Sequence, residues 1–179
     1  LAHKADVYLP VRPGSDGAEL IEGMYISEYF RRASSSNMPI DPGVLGVVVT
    51  GSFSDIPSFA SRAPIDFIFA DAPALETVSP ATNGMATAVR YAGFFSASAD
   101  GIYTFSLDAP HDAQLILGGS HLICLTSEPH AAAAEIGLRK GLHELTIDAL
   151  VPVSNAHFTA SVTLPGGATR ALSNDLVYR

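Results

Sequence analysis

Six histidines, three aspartates grouped around one stretch and a single cysteine are the side chains with the most obvious chemical uses in this chain. The histidines stand at 3, 111, 121, 130, 143 and 157. A metal or general-base site carried on one helix wants an HExxH spacing and one carried on a strand wants HxH, and neither occurs. His121, His143 and His157 fall at strand starts or on polar strand faces, where solvation or capping is expected. A two-histidine metal site across neighbouring strands is the enzymatic alternative. Asp100 and Asp108 flank residues 102–107 as an acid and base for glycoside cleavage would, but each stands at a turn or loop end, where carboxylates satisfy backbone N–H groups. The serines form no GxSxG elbow, since GSFSDIP at 51–57 lacks the second Gly and the strand-to-helix setting. There is no glycine-rich phosphate loop and no Asn-x-Ser/Thr sequon. The expectation is a protein that is not an enzyme and holds no cofactor.

Cys124, inside the apolar run HLICL, cannot form an internal disulfide or supply a thiolate cluster, so it is expected to be a buried structural thiol. Ten Lys and Arg against 18 Asp and Glu give a net charge of -8. The basic residues are scattered apart from the neighbours Arg31 and Arg32, and Arg139 and Lys140, which argues against nucleic acid as a partner. No run reaches the ~18 apolar residues of a membrane span. The opening LAHKADVYLP shows neither an initiator Met nor a signal-peptide pattern, and reads as a processed product or an excised piece. With 179 residues, 47% hydrophobic and 16% charged, the chain can bury one full-sized core.

The elements that must position these residues are strands. In 102–107, Tyr103, Phe105 and Leu107 alternate with Thr104 and Ser106, the pattern of a strand with one buried face. Asp100-Gly101 before it is a hairpin turn signal. Residues 113–117 and 121–125, joined by Gly118-Gly119, read as two strands and a tight turn. Leu145, Ile147, Ala149 and Val151 form one face of a further strand; Phe158, Ala160, Val162 and Leu164 form one face of the next, which stops at Pro165-Gly166-Gly167. Strands are also expected at 24–30, 45–49, 65–69 and 89–96. Residues 33–41 and 71–87 read as loop, and the four alanines at 131–134 as a helical turn, a crossover loop or an irregular strand. Strand spacing of roughly ten residues suggests an all-β antiparallel sandwich or barrel.

The segment RYAGFFSASADGIYTFSLDAPHDAQLILGGSHLI, residues 90–123, resembles the central block of the PA14 domain family. GMYISEYF at 23–30 resembles that family's opening strand, GLRKGLHELTID at 137–148 its Leu-x-x-Gly-x-His-x-Ile strand pair, and ALSNDLVY at 171–178 its closing strand. The resemblance covers residues 20–179 and implies a PA14-like β domain there, after an N-terminal arm at 1–19. KADVYLPVRPGSDGAEL within 4–20 is similar to a short stretch of molybdopterin oxidoreductases, but it lacks the large cofactor-binding framework that activity requires.

What the PA14 resemblance implies is a secreted or cell-surface module, often carbohydrate-binding, in which a pair of adjacent Asp residues holds Ca2+ against sugar hydroxyls. Here those two positions fall on Pro110 and His111, and the following Gly on Asp112, so the carboxylate pair is absent and the calcium loop is expected to be degenerate. The carbohydrate-binding residues implied are Asp108, His111 and Asp112 in this loop and Asn155 in a second loop at 152–156, whose metal-binding capacity is left open. The absence of Trp, with aromatics mostly on inward strand faces, weighs against a stacking platform for sugar. The expected function is a non-catalytic extracellular carbohydrate-binding-type module whose partner is a glycan or a larger parent protein. The alternative is a structural or assembly subunit of a multi-chain surface complex that uses the sandwich and residues 1–19 for protein contacts.

Overall fold

The structure, a computed structural model, describes residues 41–75, 78, 85–126, 130–151 and 157–179. The expected strand at 24–30 and the arm at 1–19 lie outside these residues, as does Asn155. The strands in chain order are β1 (Val44–Gly51), β2 (Asp66–Ala70), β3 (Ala86–Ala97), β4 (Gly101–Asp108), β5 (Ala113–Leu117), β6 (Ser120–Leu125), β7 (Ala131–Leu138), β8 (Gly141–Val151), β9 (Thr159–Thr163), β10 (Thr169–Ala171) and β11 (Val177–Tyr178). They form two antiparallel sheets. One has the order β2-β1-β3-β8-β5-β6 with β11 also on β3, and the other has the order β10-β9-β4-β7. No described helix is long and apolar enough to cross a membrane.

Alternation along the strands decides which side chains meet between the sheets. Tyr91, Phe95, Leu115, Leu117, Leu145 and Ile147 from the larger sheet pack on Tyr103, Phe105, Leu107 and Leu138 from the smaller, all fully buried. Phe95 sits edge-on to two partners across the gap, with ring centroids 5.5 Å from Tyr103 and 5.0 Å from Phe105. On β4 the other face carries Thr104, Ser106 and Asp108, so burial also fixes register there: a one-residue slip would turn Tyr103, Phe105 and Leu107 outward.

The β5–β6 hairpin forms as expected on Gly118 and Gly119, whose φ values of 55° and 76° suit residues without a Cβ. Several other expectations are corrected. Asp100-Gly101 makes no hairpin, because β3 and β4 belong to different sheets and the turn carries the chain from one to the other. Asp100 does satisfy a backbone group as expected: it accepts the Lys140 N–H at 2.6 Å, tying this crossing to the neighbouring β7–β8 crossing. The alanines at 131–134 are regular strand, because β7 pairs with β4 over the full run from Asp108↔Ala131 to Gly101↔Leu138, and that ladder overrides alanine's helical preference. Cys124 is exposed rather than buried, since Ile123 and Leu125 take the inward positions of β6 and leave Cys124 outside. His143 is buried rather than solvated: it shares the inward parity of Leu145 and Ile147, and its Nε2–H donates to the Arg139 carbonyl at 2.7 Å. The aromatics of β2 also break the inward pattern, with Phe67 and Phe69 both exposed.

Candidate functional site

Strand register gathers the loops that carry the sequence-predicted residues at one end of the sandwich. Asp108, the last residue of β4, stands opposite Ala131, the first of β7, and Thr159, the first of β9. The end of β4 and the starts of β7 and β9 therefore lie together at that end, and residues 109–112 carry the chain there from β4 in the smaller sheet to β5 in the larger. This connection is held at both ends by the backbone. Ala109 is buried and its N–H donates to the His130 carbonyl at 2.9 Å, while the Asp112 carbonyl accepts the Leu150 N–H at 3.0 Å. Between these anchors Pro110 is half-buried and His111 is exposed.

Below the loop an open groove of about 390 Å³ lies on the outer face of the smaller sheet, lined by Ser106, Asp108, Ala131, Ala133, Thr159 and Ser161 with backbone of the intervening residues. Its shape follows from sequence. Positions 106 and 108 on β4 share a face with 131 and 133 on β7 and with 159 and 161 on β9. The alanines form a low floor along β7, and the hydroxyls of Ser106, Thr159 and Ser161 line the rest. Asp108 closes the end, about half exposed at 52%, with Oδ2 3.6 Å from Nε2 of His157, itself 69% exposed. An exposed pair at this separation contributes at most about 1 kcal/mol, so the carboxylate remains available to a ligand. The volume lies within the ~300–1,000 Å³ of small-ligand sites.

Of the four predicted residues the structure places Asp108 in the groove, while His111 and Asp112 belong to the same loop without lining it. The groove adds Ser106, Thr159 and Ser161, and His157 stands beside Asp108. The polar strand faces that supply the first three were visible in the alternation, but the adjacency of β4, β7 and β9 was not. The donor set does not suit Ca2+, which takes six to eight oxygen ligands. The groove contains one carboxylate, and among the described residues no group of three His, Cys, Asp or Glu side chains is placed to hold a metal ion.

No family model matches this chain, and no curated protein matches it. Solved structures do. The A domain of Epithelial Adhesin 9 from Candida glabrata, in complex with Galb1-3GlcNAc, superposes with TM-score 0.64 at 10% identity, covering 84% of this chain and 96% of that one. A PA14 sugar-binding domain from an RTX adhesin gives TM-score 0.59 at 15% identity, covering 76% of this chain and 98% of that one. An anti-sigma factor domain-containing protein gives TM-score 0.62 at 12% identity over 81% of this chain, which spans 51% of that protein's length. The fold is therefore the PA14-like β-sandwich.

Proposed function

We propose that this chain, a PA14-like β-sandwich, is a non-catalytic carbohydrate-binding module that takes a glycan in the groove beside Asp108 without a bridging cation. Its place is outside the cell, at the surface or secreted, as part of a larger assembly. The observation that carries this reading is the groove itself: one carboxylate and three hydroxyls arranged over an alanine floor on a fold shared with sugar-binding domains. Carboxylate and hydroxyl groups at fixed spacing match the hydroxyl pattern of a sugar ring, the carboxylate accepting the stronger, charge-assisted bonds. Small floor residues let the ring lie close to the strand backbone.

The sandwich also separates this site from where the described chain begins. Gly43 donates its N–H to Val177, which pairs with Phe95 on β3, whereas Asp112 is bonded to Leu150, opposite Ala88. Phe95 and Ala88 are seven positions apart on β3, about 23 Å at strand rise. Residue 43 and the loop beside the groove therefore lie toward opposite ends of β3.

The test is a glycan array followed by calorimetry on the best ligand. The expected outcome is binding that falls at least about tenfold in Asp108→Ala, as loss of a charged hydrogen-bond acceptor entails, and that is unchanged by EDTA. Silence across the array would overturn the reading, as would an Asp108→Ala variant that binds like wild type. Binding abolished by EDTA would replace the cation-free mode with a metal-bridged one.

A further inference from the structure

Resting on the reading of the groove beside Asp108 as a glycan site, we infer that this surface selects sugars by charge: it prefers those with a free amino group and rejects acidic ones. The groove belongs to a longer polar face. Beyond Ala133 the next outward residue of β7 is Glu135, which is exposed and stands opposite Thr104, itself opposite Thr163. Asp108 pairs with Ala131 and Thr104 with Glu135, so the two carboxylates share the outer face of the smaller sheet about 13 Å apart along the strands. Between them that face carries the hydroxyls of Ser106 and Ser161.

No Lys or Arg among the described residues takes a position on this face. Arg170 on the neighbouring β10 stands opposite buried Val162, so it has the other parity, and its guanidinium donates to the Asp175 carboxylate. Arg139 and Lys140 follow Leu138, which pairs with Gly101 at the far end of β4, about 23 Å from Asp108. Arg62, Arg90 and Arg179 lie over phenylalanine rings on the side of the larger sheet. His157 does approach Asp108, but at 3.6 Å and 69% exposure water screens that contact. The face therefore offers negative charge and hydroxyls with no strong counter-charge. A sugar ammonium brings several N–H donors and makes charge-assisted bonds to a carboxylate, stronger than those of a neutral hydroxyl. A uronate or sulfate would set like charge against Asp108, and the chain's net charge of -8 extends the repulsion. The spacing of Asp108 and Glu135 exceeds one sugar ring, so an oligomer of amino sugars can engage both.

The experiment is calorimetry of the full chain with glucosamine and galactosamine trimers, their fully N-acetylated counterparts and a galacturonic acid trimer. In whichever series binds, the free-amine trimer is expected to be about tenfold tighter than its acetylated counterpart, the worth of one charge-assisted bond. The galacturonic acid trimer should show no binding. At ~1 M salt, where the screening length falls to about 3 Å, the amine preference should shrink while binding of the acetylated trimer holds. Asp108→Asn should bring the amine down to the level of its acetylated counterpart, and Glu135→Gln should weaken the amine trimer but not the amine monomer. Both carboxylates are exposed, so the melting temperature should hold in each variant. Glu144→Gln removes an exposed carboxylate from the larger sheet and should change nothing. Equal losses in all three variants would reduce the effect to the attraction of any cation to an acidic protein and overturn the proposal. Equal affinity for amine and acetylated trimers would do the same, as would a galacturonic acid trimer that binds as well as either. If a neutral glycan binds in the groove and no amino sugar does, charge selection fails while the glycan site stands. Silence from every glycan removes the site and the selection together.

Discussion

Arg90 and Asp148 face each other across β3 and β8, with Nε donating to Oδ1 and Nη2 to Oδ2, both at 2.7 Å. Asp148 is fully buried although it points to the outer face of the larger sheet. Three neighbours account for this. Arg90 covers it from one side, Gln114 on β5 donates Nε2–H to Oδ2 at 2.7 Å from the other, and the Phe59 ring lies 4.6 Å from the guanidinium. The hydrogen bonds to Asp148 raise the Arg90 pKa above its ordinary value; burial opposes that rise and the Coulomb attraction of Asp148 adds to it. A raised pKa on a base gives stability that is complete below the unfolded value and lost only as pH rises through the folded one. The arginine therefore stays charged across the whole range in which the protein works.

Breaking this pair is expected to be costly because one charge has no route to water. Arg90→Ala should lower unfolding free energy by about 3 kcal/mol, the penalty of a buried carboxylate left with a single amide donor. Arg90→Lys should recover only part of it, since an ammonium cannot make the parallel two-bond contact. Urea titration of the three proteins checks both; equal stability of Arg90→Lys and wild type would show that charge alone suffices.

Two glycines allow β1 and β11 to share one side of β3. A Cβ on Gly93 would meet the Tyr178 carbonyl oxygen at 2.5 Å, and one on Gly43, at φ 103°, would meet the Ala70 carbonyl oxygen. Both obstacles are backbone. Gly93→Ala is therefore expected to destabilise by about 1–3 kcal/mol, as overpacking does. The damage should be local to β11, and hydrogen exchange should report it as faster exchange at Gly43 and Ser96, whose N–H groups bond Val177 and Leu176.

Strands with one face against the core were readable because alternation is the direct imprint of that burial, as Tyr103, Phe105 and Leu107 show. The same parity places His143 inward, two positions before Leu145, and reading the residue by its polarity instead of its place in the alternation misassigned it. Phe67 and Phe69 signalled a strand correctly, but not which face would be covered, because among the described strands β2 lies at the end of the sheet, with Ile68 as its inward residue. At 131–134 four identical side chains carry no period at all. Asp108 was legible as a loop end. Its companions Thr159 and Ser161 were not, because they join it through pairing between strands some fifty residues apart, which local pattern does not encode.

Cys124 lies on the outer face of β6 opposite Gln114. Its thiol is expected to react stoichiometrically with an aromatic disulfide reagent in the native protein, and denaturant should accelerate the reaction little. Cys124→Ser should leave stability within about 0.5 kcal/mol, as substitutions on an exposed face do. A thiol that reacts only after unfolding would place Cys124 under a covering segment.

The groove makes a prediction that separates its shape from its charge. Ala133 stands opposite Ser106, and both side chains point out of the sheet into the groove. Replacing Ala133 with Phe fills that space without touching Asp108 or any core residue, and a strand position favours the aromatic side chain. Stability should therefore change by less than about 1 kcal/mol, while glycan affinity falls as far as in Asp108→Ala or further. Calorimetry on the two single variants and on the double variant completes a cycle. If both act on the same bound sugar, the losses should be strongly non-additive, because a ligand excluded by bulk has no carboxylate contact left to lose. Additive losses would mean that the carboxylate and the groove floor engage different parts of an extended glycan.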